Sequence, residues 1–213
     1  MGFRSHAEER LPLPEKYAMK RIAEVERETK ETRIRIRLDL DGTGSSELST
    51  SIPFFDHMLS LFSLHGFFDM KIDSQGDTDV DFHHVVEDVG LVLGDAVQKA
   101  LGEKKGIQRF GHAVTPMDDA LTSVTVDLSN RPYLVFNVTP HSYWHAPFDV
   151  LLTKEFFRAM STRGGMNLHV NVHYGENEHH VIESIFKGTG RALGMAVSLD
   201  QRIKGVRSTK GSL

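Results

Sequence analysis

The sequence predicts an α+β fold built by internal duplication, two similar β/α half-domains whose sheets are packed with helix layers. Three observations lead there. The signature His83-His84-Val85-Val86-Glu87 recurs as His179-His180-Val181-Ile182-Glu183. The segments before each copy run through the same order of strand-like and helix-like patterning, with a period of about ninety residues. Each half alone is too short to bury a sheet and two helices well, so the halves are expected to pack helix layer on helix layer or to share one core.

Residues 1–20 mix charge with breakers (Arg4, Glu8, Glu9, Arg10, Pro12, Pro14) and show no period; they are read as a variable N-terminal extension. The first half spans 21–110. A strand-like pattern starts at Ile22, and Thr32 to Leu40 alternates strictly, as a half-buried strand does. Asp41-Gly42-Thr43-Gly44 ends it as a turn. Phe54 to Phe62 reads as a mostly buried helix with Pro53 near its start and His65-Gly66 closing it. Strand-like Asp69 to Asp73 and the acidic turn Gly76 to Asp79 lead into the first His-His helix, which runs to Leu101-Gly102.

The second half, 111–213, repeats the order. Asp119 to Leu128 can be laid on Glu31 to Leu40, and the helix Lys154 to Met160 corresponds to the one carrying His57. Strand Asn167 to Val172 and turn Gly175 to Glu178 precede the second His-His helix. Each half thus reads β, α, β, α with extra strand around the first turn. Gly188-Thr189-Gly190 lies inside a helix pattern and lacks phosphate-loop spacing, so a doubly wound dinucleotide fold is not expected.

The duplicated signature points to metal. Imidazole and carboxylate together suit a borderline-to-hard divalent cation. On a helix the first His and the Glu, four apart, share a face, while the second His points about 100° away. Adjacent histidines would then serve two different metals. A lone His-His pair is more often a solvated or capping feature; recurrence with the same internal spacing makes coincidence the weaker account. With 12 histidines and no cysteine, disulfides and thiolate sites are excluded, which leaves Mn, Fe, Co or Zn held by nitrogen and oxygen. A formal charge of −4 gives no reason to expect nucleic acid or an anionic membrane as partner. No apolar run approaches a membrane span and no signal-peptide pattern opens the chain, so a cytoplasmic protein is expected.

Phe55-Asp56-His57-Met58-Leu59, His83-His84-x-x-Glu87-Asp88, Gly106-Ile107-x-Arg109-Phe110-Gly111, Arg131-Pro132-Tyr133, Glu155-Phe156-Phe157, His179-His180-x-x-Glu183 and Ser208-Thr209-Lys210-Gly211 stand in one order along the chain. Together they resemble the imidazoleglycerol-phosphate dehydratase family from about residue 22 to residue 211. The resemblance implies a carbon–oxygen lyase of histidine biosynthesis that dehydrates imidazole glycerol phosphate to imidazole acetol phosphate. It implies two divalent ions per site, with Mn expected, and a homo-oligomer of 24 subunits with active sites between subunits. The small phosphorylated imidazole is the expected partner, without nucleic acid or membrane.

The chemistry explains the ligand set. The proton to be removed sits on a carbon bearing a hydroxyl and is not acidic. If the chain acts as the resemblance implies, metals holding the substrate ring as an imidazolate would let its electron pair expel the neighbouring hydroxyl through a diazafulvene-type intermediate, and proton loss would then yield an enol and the ketone.

By resemblance, His57, His83, His84, Glu87, His179, His180 and Glu183 match metal ligands, with His57 also at the substrate and Glu87 and Glu183 also catalytic. Glu31 matches a proton-shuttling carboxylate; on the sequence alone it reads as a strand-edge charge. Arg109, Arg131, Lys187, Ser208, Thr209 and Lys210 match a phosphate pocket, where guanidinium forks and ammonium groups meet a dianion. His65 could reach the site from the end of its helix. Three positions depart from some members. Glu155 stands where several relatives have a histidine ligand, Asp119 where a glutamate is common, and Leu61 where some place a polar substrate contact. Glu155 is kept as a ligand. His112, His141, His145, His169 and His173 read as hydrogen-bonded core or surface residues, and Trp144 as a loop packing anchor or an assembly contact. Two other classes stay open: a dinuclear phosphoesterase, normally richer in aspartate ligands, and a non-enzymatic metal-linked assembly module, which would need no phosphate-binding cations.

Overall fold

The structure, a computed structural model, describes residues 20–141, 144 and 147–213. Apart from Lys20, the expected extension lies outside these residues, as does His145.

The first half comprises β1 (Ile22–Glu28), β2 (Thr32–Asp39), β3 (Ser46–Ser49), α1 (Pro53–Gly66), β4 (Asp69–Gly76) and α2 (His83–Leu101). The second repeats it as β5 (Phe110–Met117), β6 (Ala120–Asp127), β7 (Tyr133–Asn137), α3 (Val150–Arg163), β8 (Asn167–Tyr174) and α4 (Glu178–Val197). The sheets have the equivalent orders β1-β2-β4-β3 and β5-β6-β8-β7, antiparallel except for the parallel pairs β3/β4 and β7/β8. Registers match as well: Asp39 faces Asp69 at one end of β2/β4, and Asp127 faces Asn167 at the same end of β6/β8. The extra strand around the first turn is β3, which leaves the β1-β2 hairpin to pair beyond the central strand.

In β2, Ile34, Ile36 and Leu38 are buried, while Arg33, Arg35 and Arg37 face out, two of them paired with Glu26 and Glu24 on β1. In β6 the inward residues are Ala120, Thr122, Val124 and Val126. The buried Thr122 hydroxyl is satisfied by Ser184 Oγ on α4 at 2.6 Å.

The halves exchange their short helices. α2 packs on β1 and β2 of its own sheet and α4 on β5 and β6, but α1 lies against α4, and α3 against α2. One core results, with residues from every helix and both sheets. At its centre Phe55 on α1 meets Phe156 on α3 at 5.2 Å between ring centroids, and Phe156 stacks on Phe186 of α4 at 5.4 Å.

Glycines allow these crossings. A Cβ on Gly190 of α4 would stand 2.4 Å from the Phe62 carbonyl oxygen of α1, and one on Gly90 of α2 would stand 2.5 Å from that of Phe156. Gly66 closes α1 as expected, but it does not itself take the left-handed conformation. Phe67 is the residue at φ 58, and a Cβ on Gly66 would come within 3.0 Å of the Gly190 carbonyl oxygen. The glycine serves helix contact rather than the turn. α3 begins four residues earlier than the apolar pattern indicated, because the Asp149 carboxylate accepts from Leu151 N and Leu152 N at 2.9 and 2.8 Å and caps the helix.

Candidate metal centre and anion pocket

His57 projects from α1 on the side away from Phe55, Met58, Leu59 and Phe62, which are buried at helical spacing. Thr50 anchors the start of α1, donating its N–H and hydroxyl to Asp56 at 2.9 and 2.8 Å. The exchange of short helices then sets His57 beside the second signature. His57, His179 and Glu183 each offer a ligand atom, all within 4.8 Å of one another, the sole such group among the described residues. His179 Nε2 lies 3.1 Å from Glu183 Oε2, and the Phe54 ring holds the imidazole edge-on at 5.1 Å. Burial works against the charge of Glu183, but Lys187 and His179 outweigh it and hold the carboxyl below its ordinary value. Lys187 pairs with Glu183 one turn along α4.

The first signature is arranged the same way. His83 Nε2 lies 3.6 Å from Glu87 Oε2. Arg158 on α3 donates to Glu87 at 2.9 Å and also pairs with Glu155. His83 and Glu155 line one cavity of ≈ 230 Å³. Each signature therefore meets the short helix of the opposite half. The two signatures do not meet each other: no hydrogen bond, ion pair or ring contact joins them among the described residues.

The second histidine of each pair turns elsewhere, as a step of about 100° requires. His84 Nδ1 is 3.0 Å from Asp77 Oδ2 and 3.9 Å from Glu31 Oε2. The Asp77 hydrogen bond raises its pKa above the ordinary value. His180 Nδ1 pairs with Asp119, and its Nε2 lies 3.7 Å from Asp118. Asp119 is held well below the usual carboxylate range, first by His180 and then by the N–H groups of Asn177 and Glu176. In both, a carboxylate engages Nδ1, the kind of partner that orients metal-binding imidazoles through Nε2. Asp77 and Arg158 were not singled out from the sequence; Arg158, three residues after Glu155 on a helix, was within reach of a spacing argument.

Arg109, Arg131, Ser208, Thr209 and Lys210 line a separate cavity of ≈ 760 Å³. Arg109, at φ 69, forks onto Asp127 at 2.6 and 3.0 Å and donates to the Arg207 carbonyl at 2.7 Å, so its donors brace the pocket wall. Arg131 and Lys210 have no ion pair among the described residues and leave positive charge for an anion. His65 lines a different cavity, with Arg191; burial, with Lys187 and Arg191 nearby, pushes its pKa down. Leu61 packs against the core. Trp144 is a packing anchor, donating Nε1–H to the Glu176 carbonyl at 2.8 Å. His173 and His169 bond Ser123 Oγ and Asn167 Oδ1 at 2.6 and 2.8 Å, and His141 sits 3.2 Å from the Gly175 carbonyl.

The donor set fits a divalent cation. It is all imidazole nitrogen and carboxylate oxygen, the trio has three donors at close range, and three donors leave room for further ligands.

The chain is similar to known proteins along most of its length. The family model for imidazoleglycerol-phosphate dehydratase matches residues 50–193. A relative of that name from Desulfosudis oleivorans is 60% identical over 92% of this chain and 100% of its own. One from Geobacter sulfurreducens is 53% identical with the same coverage. The crystal structure of the Pyrococcus furiosus protein superposes with a TM-score of 0.78 at 39% identity, covering 89% of this chain and 100% of that one. The Staphylococcus aureus protein gives 0.75 at 37%, covering 84% and 99%. With the family model spanning both helix pairs and the fold shared, this chain belongs to the imidazoleglycerol-phosphate dehydratase family.

Proposed function

We propose that this chain dehydrates imidazole glycerol phosphate to imidazole acetol phosphate in histidine biosynthesis, in the cytoplasm, using two divalent ions per site, manganese foremost. Family membership makes it a hydro-lyase. No described helix is long and apolar enough to cross a membrane. The observation that carries the metal reading is the close grouping of His57, His179 and Glu183; in the other half His83 pairs with Glu87 and shares a cavity with Glu155, with Arg158 bridging the two carboxylates.

The same geometry argues for active sites between subunits. His84 and His180 face away from both groups, so they reach a metal only by meeting one held by another copy. Such exchange is closed by symmetry in a homo-oligomer, and the 24-subunit particle is the form proposed. When bound, the ions supply Lewis acidity that stabilises the substrate ring as an anion able to expel the neighbouring hydroxyl. The remaining work falls to side chains. Arg131 and Lys210, with Ser208 and Thr209, hold the phosphate against the Arg109 brace. Lys187 keeps Glu183 ionised and His65 stands at the end of α1, near Lys187. Glu31, whose Oε2 lies 3.9 Å from His84 Nδ1, is the carboxylate assigned to take the proton from the substrate carbon.

The test is metal content by mass spectrometry paired with turnover. Manganese-loaded protein is expected to convert imidazole glycerol phosphate to the ketone without releasing inorganic phosphate. Phosphate release from simple esters would support a dinuclear phosphoesterase instead, and metal-dependent assembly without turnover a non-enzymatic module.

A further inference from the structure

Lys104 has no place in the site described above, yet it is the one buried Lys or Arg among the described residues. Its side chain is fully buried, with 2% of the residue exposed, and it has no ion pair among the described residues. Burying an unpaired ammonium is expensive, and an apolar residue would fill the space at less cost. Its backbone also sits in the left-handed region at φ 56, a conformation a non-glycine residue adopts at some cost. Two unfavourable features at one residue call for a local reason.

The reason lies in what the ammonium touches. Nζ donates to Asn130 Oδ1 and, at 3.5 Å, to the Leu128 carbonyl. Asn130, itself left-handed at φ 55, lines the anion cavity between Ser129 and Arg131. Its Oδ1 accepts a second bond from Gln98 Nε2 on α2 at 2.9 Å. The Ser129 hydroxyl takes the Arg131 N–H at 3.4 Å. Lys104 therefore fastens, from inside the protein, the short turn that presents Ser129 and Arg131 to the cavity. Burial pushes the lysine down to about 8, with Asp127 opposing that fall and Arg109 adding to it, so the ammonium persists at neutral pH.

We propose that Lys104 is a positioning residue for the phosphate-binding wall: through Asn130 it holds the Ser129–Arg131 turn in its anion-accepting shape and so sets substrate affinity. This rests on the phosphate reading of that cavity. Loss of a charged hydrogen bond holding a binding group predicts a KM raised about ten-fold. kcat should stay within about two-fold, since the lost interaction serves ground state and transition state alike.

The experiment compares Lys104→Met, Asn130→Gly and the double variant with the wild type as metal-loaded oligomers. Asn130→Gly keeps the left-handed backbone available and removes only the acceptor, so it tests the idea even if Lys104→Met fails to fold. Both single variants should raise KM and the inhibition constant for inorganic phosphate in parallel. The double variant should be no worse than the weaker-binding single, because the lysine acts through the asparagine. KM and phosphate affinity unchanged, a fall in kcat alone, or multiplied effects in the double variant would each overturn the proposal. Thermal protection by inorganic phosphate decides it independently of turnover, so failure of the wild type to dehydrate the substrate would count against the function and not against this assignment.

Discussion

Gly190→Ala tests the link between helix packing and the site. Alanine is the better helix former by about 1 kcal/mol, so on propensity alone the substitution stabilises. In the structure the new Cβ would stand 2.4 Å from the Phe62 carbonyl oxygen and 3.2 Å from Gly66 N. A carbon and an oxygen settle at about 3.3 Å or more, so α1 must retreat from α4 by about 0.9 Å. Overpacking of that kind costs about 1–3 kcal/mol, and the obstacle here is backbone, which no side-chain rotation relieves. With the upper part of that range, less the propensity gain, the net loss is roughly 1–2 kcal/mol, a melting temperature lower by about 2–8 °C for a chain of this size. α1 carries His57, and a displacement of that order exceeds the roughly 0.5 Å tolerance of a preorganised site. Manganese affinity should therefore fall by about ten-fold or more. Calorimetry at fixed protomer concentration and a manganese titration give the two readings. An unchanged or raised melting temperature together with wild-type manganese affinity would refute the reasoning.

Gly94→Ala, at the equivalent place on α2, would set a Cβ 2.6 Å from the Met160 carbonyl oxygen; it should also lower the melting temperature while sparing the His57, His179 and Glu183 group, which mutation of one half only can reveal by metal titration. Asp69 accepts from the N–H groups of Thr43, Gly44 and Ser45 at 2.8, 3.1 and 3.0 Å, which holds its carboxyl below the ordinary value. Its stabilisation is present above about pH 4 and lost as pH falls through the folded value; Asp69→Asn should lower the melting temperature at pH 7, with the gap closing in acid. Lys104, pushed down to about 8, runs the other way. Below pH 8 its buried charge destabilises in full, and between pH 8 and about 10.4 the unfolded chain binds the proton the folded chain has released, so stability recovers by up to about 3 kcal/mol. Urea unfolding should show that slope in the wild type and a flatter one in Lys104→Met. Chelation should lower particle mass by light scattering as well as stop turnover, if His84 and His180 complete sites on neighbouring copies; an unchanged mass removes metal from the assembly.

Local chemistry was readable from the chain alone. Alternation in β2, the apolar stripe behind each His-His-x-x-Glu and the repeated order of elements all act within a few residues, so they appear directly as spacing. The i, i+4 pairing of His83 with Glu87 and His179 with Glu183, and the divergence of His84 and His180, follow from helix pitch. What tertiary structure decided was which elements meet. Within one subunit each signature faces a short helix of the opposite half, because α1 and α3 cross between halves where Gly190 and Gly90 let backbones approach. Nothing in the pattern of one half records that crossing, since it depends on the shape of the other. For the same reason the pairing of Arg158 with Glu87 and of Lys104 with Asn130 was not seen, since each joins residues of different elements through a contact that forms only in the shared core; Asp77 behind His84 is a local pair, seven residues apart, that the acidic turn did not single out.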